Sequence, residues 1–201
     1  MNALKNKLSY IWDYYKFPII GVPLGILLII YVVSTFTGSK DVPFSVYFIN
    51  QDVSIESCQN LEEKLRKASP LEDIVEDVYV DASLVIHPDA PDLDSQMSFT
   101  ASISGHTIDI MISDKPFLEY YSKMNALADL GELLPPDLYD LMMPYLILAE
   151  NEEGLMTPYA IDLSNCAYFT DLNLDTPVLT IAKYSEHPEA CIAFLHLVFS
   201  E

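Results

Sequence analysis

The sequence predicts an α/β domain with a largely parallel sheet, carried behind an N-terminal transmembrane helix. Two observations predict the helix and one the domain. Residues 17–36 form a run of 20 residues without a charged side chain. Basic residues gather just before that run. After it, β-rich segments alternate with helical ones, the pattern of an α/β sheet.

The run reads FPIIGVPLGILLIIYVVSTF. As a helix at ~1.5 Å per residue it spans about 30 Å, the thickness of a bilayer's hydrocarbon core. Pro18, Pro23, Gly21 and Gly25 weaken a water-exposed helix but are tolerated in a membrane. Tyr10, Trp12, Tyr14 and Tyr15 precede the run, where an interfacial aromatic belt sits. The rival is a buried helix, which would have to be apolar on every side. Lys5, Lys7 and Lys16 precede the span and only Lys40 follows closely, so the N-terminus is expected in the cytoplasm and the remainder outside. A cleaved signal peptide is the other rival. Against it stand a long n-region, an apolar run longer than the usual h-region, and no A-x-A site. The expected division is a cytoplasmic segment at 1–16, the span at 17–36, a linker at 37–41 and one extracytoplasmic domain at 42–201, anchored to the lipid bilayer through 17–36.

Asp13 is the sole acid before the span, so 29 acids and 7 bases follow it, a formal charge of −22. A surface so acidic repels nucleic acid and anionic lipid, and no nucleic-acid partner is expected. Cys58, Cys166 and Cys191 are widely spaced and show no zinc-ligand pattern. One disulfide and three buried thiols both remain open.

Along the domain, VPFSVYFIN (42–50) is rich in β-branched and aromatic residues and predicts the first strand. Ser54 caps a helix to about Ala68 with Ile55, Cys58, Leu61 and Leu65 on one face. Asp77 to His87 predicts a second strand with a break or bulge, and Pro88 to Asp94 a loop. Met97, Phe99, Ala101 and Ile103 alternate, which argues for a strand. IDIMI (108–112) is the apolar run of a buried parallel strand. Asp114 caps the next helix, with Pro116 in its first turn. Leu127–Leu134 and Pro136–Met143 are short helical pieces, and 151–154 is a turn. Leu155–Asp162 and Thr176–Ala182 are strands. A last helix starts at His187-Pro188 and buries Cys191, Ile192, Leu195, Val198 and Phe199.

The segment GHTIDIMISDKPFLEYYSKMNALADLGELLP resembles a stretch of bacterial extracellular solute-binding proteins, in which a strand like "IDVMI-D" leads to a helix and an "L-DL…LP" turn. SEHPEACIAFLHLVFSE is similar to the "NPEAAIAFL-FL" helix of the same family, and TPYAIDLSN to its strand re-entering the hinge. The resemblance implies a class II periplasmic-binding-protein-like lobe. It also implies a helix over 95–104 with Gly105 as its cap, against the alternation. The chain departs from the family in its transmembrane anchor. It also has only about 60 residues between IDIMI and the last strand, too few for a second lobe.

Ligands of open α/β sheets bind beyond the carboxyl ends of the strands. Asn50, Gln51, Asp52, His87, Asp89, Ser113 and Asp114 lie there, and Tyr159 and Asp162 flank the hinge-like strand. Asn50, Asp52, Asp114, Tyr159 and Asp162 are the candidate ligand-binding residues. The plain alternative is that these are turn formers and helix caps. Asp171-x-Asn173-x-Asp175 copies the start of a calcium loop, but Thr176 and Ala182 stand where Gly and Glu are required. No metal or other cofactor is expected. No nucleotide, hydrolase or metalloprotease motif occurs, and the four histidines show no Ser or Cys partner at a readable spacing, so an enzyme is not expected. Two functions follow. A solute-binding-like domain would capture a small solute or assist a membrane transporter, with Asp114, Tyr159 and Asn50 converging on a concave site. A structural or interaction domain that has lost solute binding would contact another membrane or envelope protein, with a filled cleft and an exposed apolar patch.

Overall fold

Phe44–Ile49 form the first strand of a six-stranded sheet in a computed structural model that describes residues 42–87 and 92–199, together with Val22 and Ile26. The chain divides after Asp41 into two units. Val22 and Ile26, in the first unit, are helical and exposed. The rest of the expected span at 17–36 lies outside the described residues, as do 1–16, the linker at 37–41, and Asp89. Among the described residues no helix is long and apolar enough to cross a membrane.

The elements of the second unit follow in order: β1 (Phe44–Ile49), α1 (Ile55–Arg66), α2 (Leu71–Ile74), β2 (Val78–Leu84), α3 (Leu93–Ser104), β3 (Ile110–Ser113) and α4 (Lys115–Tyr121). Then come α5 (Leu130–Leu133), α6 (Pro136–Met142), β4 (Leu146–Glu150), β5 (Met156–Asp162), β6 (Val178–Ile181) and α7 (Pro188–Phe199). The strand order is β2-β1-β3-β6-β5-β4.

The sheet is mixed, which corrects the largely parallel expectation. β1 pairs in parallel with β2 and β3. The β3–β6, β6–β5 and β5–β4 pairs are antiparallel. The cause is β4, a strand the sequence reading left unassigned. LILAE is too short to show a period, and it makes a hairpin with β5 through the turn at Asn151, where Gly154 has φ +81°. The stretch between β5 and β6 then reverses without an α-helical crossover, of the kind that parallel neighbours require.

Apolar side chains cover both faces. Phe44, Val46, Phe48, Ile110 and Ile112 pack with the buried sides of α1, α2 and α7. Ile49, Met111 and Val178 pack with Phe99 of α3 and with Phe117, Leu118 and Tyr121 of α4. Among the described residues five phenylalanines are fully buried, each worth about 1.5–3 kcal/mol. IDIMI is thus buried on both sides, as its apolar run predicts. β2 carries the expected bulge, opposite Tyr47–Ile49.

Two local expectations fail. Residues 93–104 are helical, in keeping with the resemblance and against the alternation. The Asp92 carboxylate accepts the Ser95 N–H at 3.0 Å and starts the helix. Phe99 is its sole buried residue, while Met97 is 64% exposed, so the alternation marks no buried face. Gly105 is the cap, but His106 takes the left-handed position at φ +55°. In α1, Ser54 caps as expected, and Cys58, Leu61 and Leu65 are buried, but Ile55 is 79% exposed.

Candidate functional site

β1, β2, β3 and β5 run in one direction, so their carboxyl ends share one end of the sheet. Asn50 and Asp114 meet there. Asn50, held at φ +60°, donates from Nδ2 to Ile86 O at 2.8 Å and to Asp114 Oδ2 at 3.1 Å. Its Oδ1 accepts the Ile86 N–H at 2.6 Å. Asp114 Oδ1 accepts the Phe117 N–H at 3.0 Å and caps α4. Every side-chain nitrogen and oxygen of this pair is therefore engaged in holding β1, β2 and α4 together. Gln51 is buried and clasps the backbone of Asp175 with both ends of its amide. That contact pins the calcium-like stretch to the sheet. Asp52 and His87 are exposed. Asp162 ends β5 and closes a turn by accepting the Ser164 N–H at 2.8 Å. The Ser164 hydroxyl and N–H, with Lys115 nearby, hold its carboxyl below the usual range. Ser113 is fully buried, and its hydroxyl has no hydrogen-bond partner among the described residues.

Tyr159 does not join them. It precedes Asp162 by three positions, about 10 Å along a strand. It falls at a bulge where Ile147 pairs with Ala160 but Leu148 pairs with Pro158. There it lines a cleft of about 500 Å³ at the other end of the sheet, beside the β4–β5 turn and the residues after α4 and β6. Asp129, Glu132, Glu152 and Glu153 rim this cleft against the single cation Lys183, which bonds Asn125. Burial, and then the nearby acids, push the Tyr159 phenol up, while the Thr157 hydroxyl opposes them. Several rim groups serve local structure. Asp129 accepts the Gly131 N–H, and Asn151 accepts those of Glu153 and Leu155.

A buried network lies where sequence reasoning saw nothing. Asp109 is 1% exposed. Its Oδ2 accepts the Ser45 N–H at 2.8 Å, its Oδ1 accepts the Ser185 hydroxyl at 2.6 Å, and His187 Nδ1 lies 3.2 Å from both. The signal was present, since a carboxylate inside the run IDIMI requires partners when buried. It clasps the start of α7 to β1 and β3. Cys191, next to Ser185, is fully buried, and burial pushes its thiol up to about 12, which leaves it inert as a nucleophile. Cys58 and Cys191 are buried and no disulfide joins the three cysteines. Among the described residues no group of three or more His, Cys, Asp or Glu side chains is arranged to hold a metal.

The third feature is β4, an outer strand of the sheet. Leu148 is 53% and Met156 62% exposed, and Leu141, Met143, Tyr145 and Leu155 nearby are also exposed. Between β4 and α4 runs a groove of about 340 Å³ whose apolar lining includes Leu118, Ile147, Ala149 and Met156, with Lys115, Glu119, Lys123 and Glu150 along it.

No protein-family model matches the chain, and no curated protein or solved structure matches it either. The likeness to solute-binding proteins therefore rests on the quoted segments alone.

Proposed function

We propose that residues 42–201 are an extracytoplasmic interaction domain, tethered to the membrane by 17–36, that contacts another membrane or envelope protein. The observation that carries this reading is the exposed apolar edge at β4, flanked by Tyr145, Leu148 and Met156. Exposed apolar patches of this kind mark contact surfaces. The carboxyl-end residues support it from the other side, because Asn50 and Asp114 are engaged with each other and with backbone. In this reading the domain is not an enzyme and takes no cofactor. A photo-crosslinking residue placed at Leu148 is expected to give a discrete protein adduct in the host's own membranes, and one placed at Ser83 none. Equal labelling at both positions, or none at Leu148, removes the reading.

Capture of a small solute is the second reading, and the cleft of about 500 Å³ beside Tyr159 favours it. Its acidic rim selects a cationic solute. Thermal unfolding of the full chain with spermidine tests it. A ligand at ~100 times its dissociation constant adds about 2.7 kcal/mol, and Tyr159→Ala should abolish that gain.

A further inference from the structure

We infer that β4 receives an extended polypeptide strand from its partner, apolar in its paired stretch and flanked by basic residues. The inference rests on the interaction reading above and specifies its mode. On an outer strand every second residue turns its N–H and C=O away from the sheet, which templates another strand. β4 offers that template from Leu146 to Ala149, while beyond it the Glu150 carbonyl already accepts the Ser122 hydroxyl at 2.8 Å. From Leu146 to Ala149 it contains no proline and no charge, and its one charged residue, Glu150, closes the strand. An incoming strand directs alternate side chains to opposite faces of the sheet. One row meets the groove between β4 and α4, floored by Leu118, Ile147 and Ala149. Exposed Tyr145 and Leu148 offer further apolar contact along the edge.

Charge decides the flanks. Glu119 and Glu150 border the groove, and Glu152 and Glu153 occupy the adjoining turn. Lys123 is offset by Glu150 at 2.9 Å, and Lys115 lies close enough to Asp162 to lower its carboxyl slightly. Within the groove two lysines balance two glutamates, so the acidic excess comes from Glu152 and Glu153 in the turn and from a segment whose formal charge is −22. Lysine or arginine beside the paired stretch meets this field, and it also quickens encounter. A second copy of the domain brings the same negative charge and is repelled, so the occupant is a different chain.

The test uses the full chain in detergent. The probe is a fluorescein-labelled peptide of alternating valine and threonine with paired lysines at each end. Two companions accompany it, one with glutamates for the lysines and one with proline for the central valine. The lysine peptide is expected to bind saturably, and both companions about tenfold or more weaker. Leu148→Lys should weaken it by a similar factor with an unchanged circular dichroism spectrum and melting temperature, and Ser83→Lys should leave it unchanged. Equal binding of the lysine and proline peptides overturns strand addition in favour of plain electrostatic adhesion. Unchanged affinity in Leu148→Lys overturns β4 as the place. Sedimentation showing a dimer that Leu148→Lys dissociates makes a second copy the occupant and overturns the basic strand. A protein adduct at Leu148 without peptide binding leaves the interaction reading standing and removes this one. Absence of both removes both.

Discussion

The two halves of the sheet are built on different terms. The β2-β1-β3 half is parallel and cross-tied by side chains: Asn50 joins β1 to the residues after β2 and to α4, and Asp109 joins β3 to β1 and α7. Its outer strand, β2, is guarded. Asp81 stands on it and takes hydrogen bonds from Tyr79 OH, Ser83 N and Ser83 Oγ, while Arg66 bridges Glu62 and Asp77 beside it. The β6-β5-β4 half is antiparallel, and its outer strand carries leucines and isoleucine where β2 carries Asp81 and Ser83. A charge on an outer strand prevents unwanted pairing. The contact proposed above falls on the edge that carries no such charge between Leu146 and Ala149.

The comparison sharpens from its largest expected effect downward. Asp109→Ala leaves the Ser45 N–H and the Ser185 hydroxyl buried without their acceptor. It should cost about 3 kcal/mol, read as a lower urea midpoint with unchanged slope. A loss below about 1 kcal/mol would mean that the parallel half does not depend on its side-chain ties. Asn50→Ala removes three hydrogen bonds and the residue type suited to φ +60°, and should cost about 1–2 kcal/mol in the same assay.

Tyr79 gives the guarded edge a pH signature. Burial first, and then its bond to Asp81, push the phenol up to about 12. The folded state holds that proton where the unfolded chain has lost it, so stability is full below about pH 10 and declines as pH rises toward about 12. Tyr79→Phe should flatten that decline in denaturation series run at each pH, and an unaltered slope would count against the Tyr79–Asp81 bond.

The smallest effects are equally diagnostic. Leu148→Lys should change folding stability by less than about 0.5 kcal/mol, because an exposed side chain adds little to the fold. A larger loss would make Leu148 a packing residue and remove the contrast between the edges. Ser113→Ala removes a buried hydroxyl that has no partner among the described residues and should raise the urea midpoint slightly or leave it in place.

Legibility followed length and burial. β1, β3 and α7 are long or uniformly apolar and stood out, and Ser54 and Asp114 announced their helices as caps. β4 did not stand out, because LILAE directly follows a short helical segment and has no room for a period. Without it, β5 does not read as half of a hairpin, and the alternation of strands and helices predicts a largely parallel sheet. The alternation over 97–103 misled because Met97 and Ala101 are exposed. At the site, chain order rightly placed Asn50 beside Asp114, but only coordinates show that each is the other's partner. Tyr159 went astray because the bulge beside Pro158 shifts a register that no sequence period encodes. Asp109 was hidden because its partners lie 64, 76 and 78 positions away.

The Asp109 clasp also bears on the order in which this chain is made. Among the described residues, β1 is the first strand to leave a ribosome and α7 the last helix. Yet Phe44 of β1 packs against His187, just before α7, and Phe194 of α7, with ring centres 6.3 and 6.1 Å apart. During synthesis Phe44 of β1 therefore waits for its ring partners until α7 arrives. A nascent chain halted before Ser185 has neither the lid for that face nor the hydroxyl and imidazole that accompany the Asp109 carboxylate. Completion of α7 is therefore the step at which the face of β1 and the Asp109 carboxylate gain their last partners.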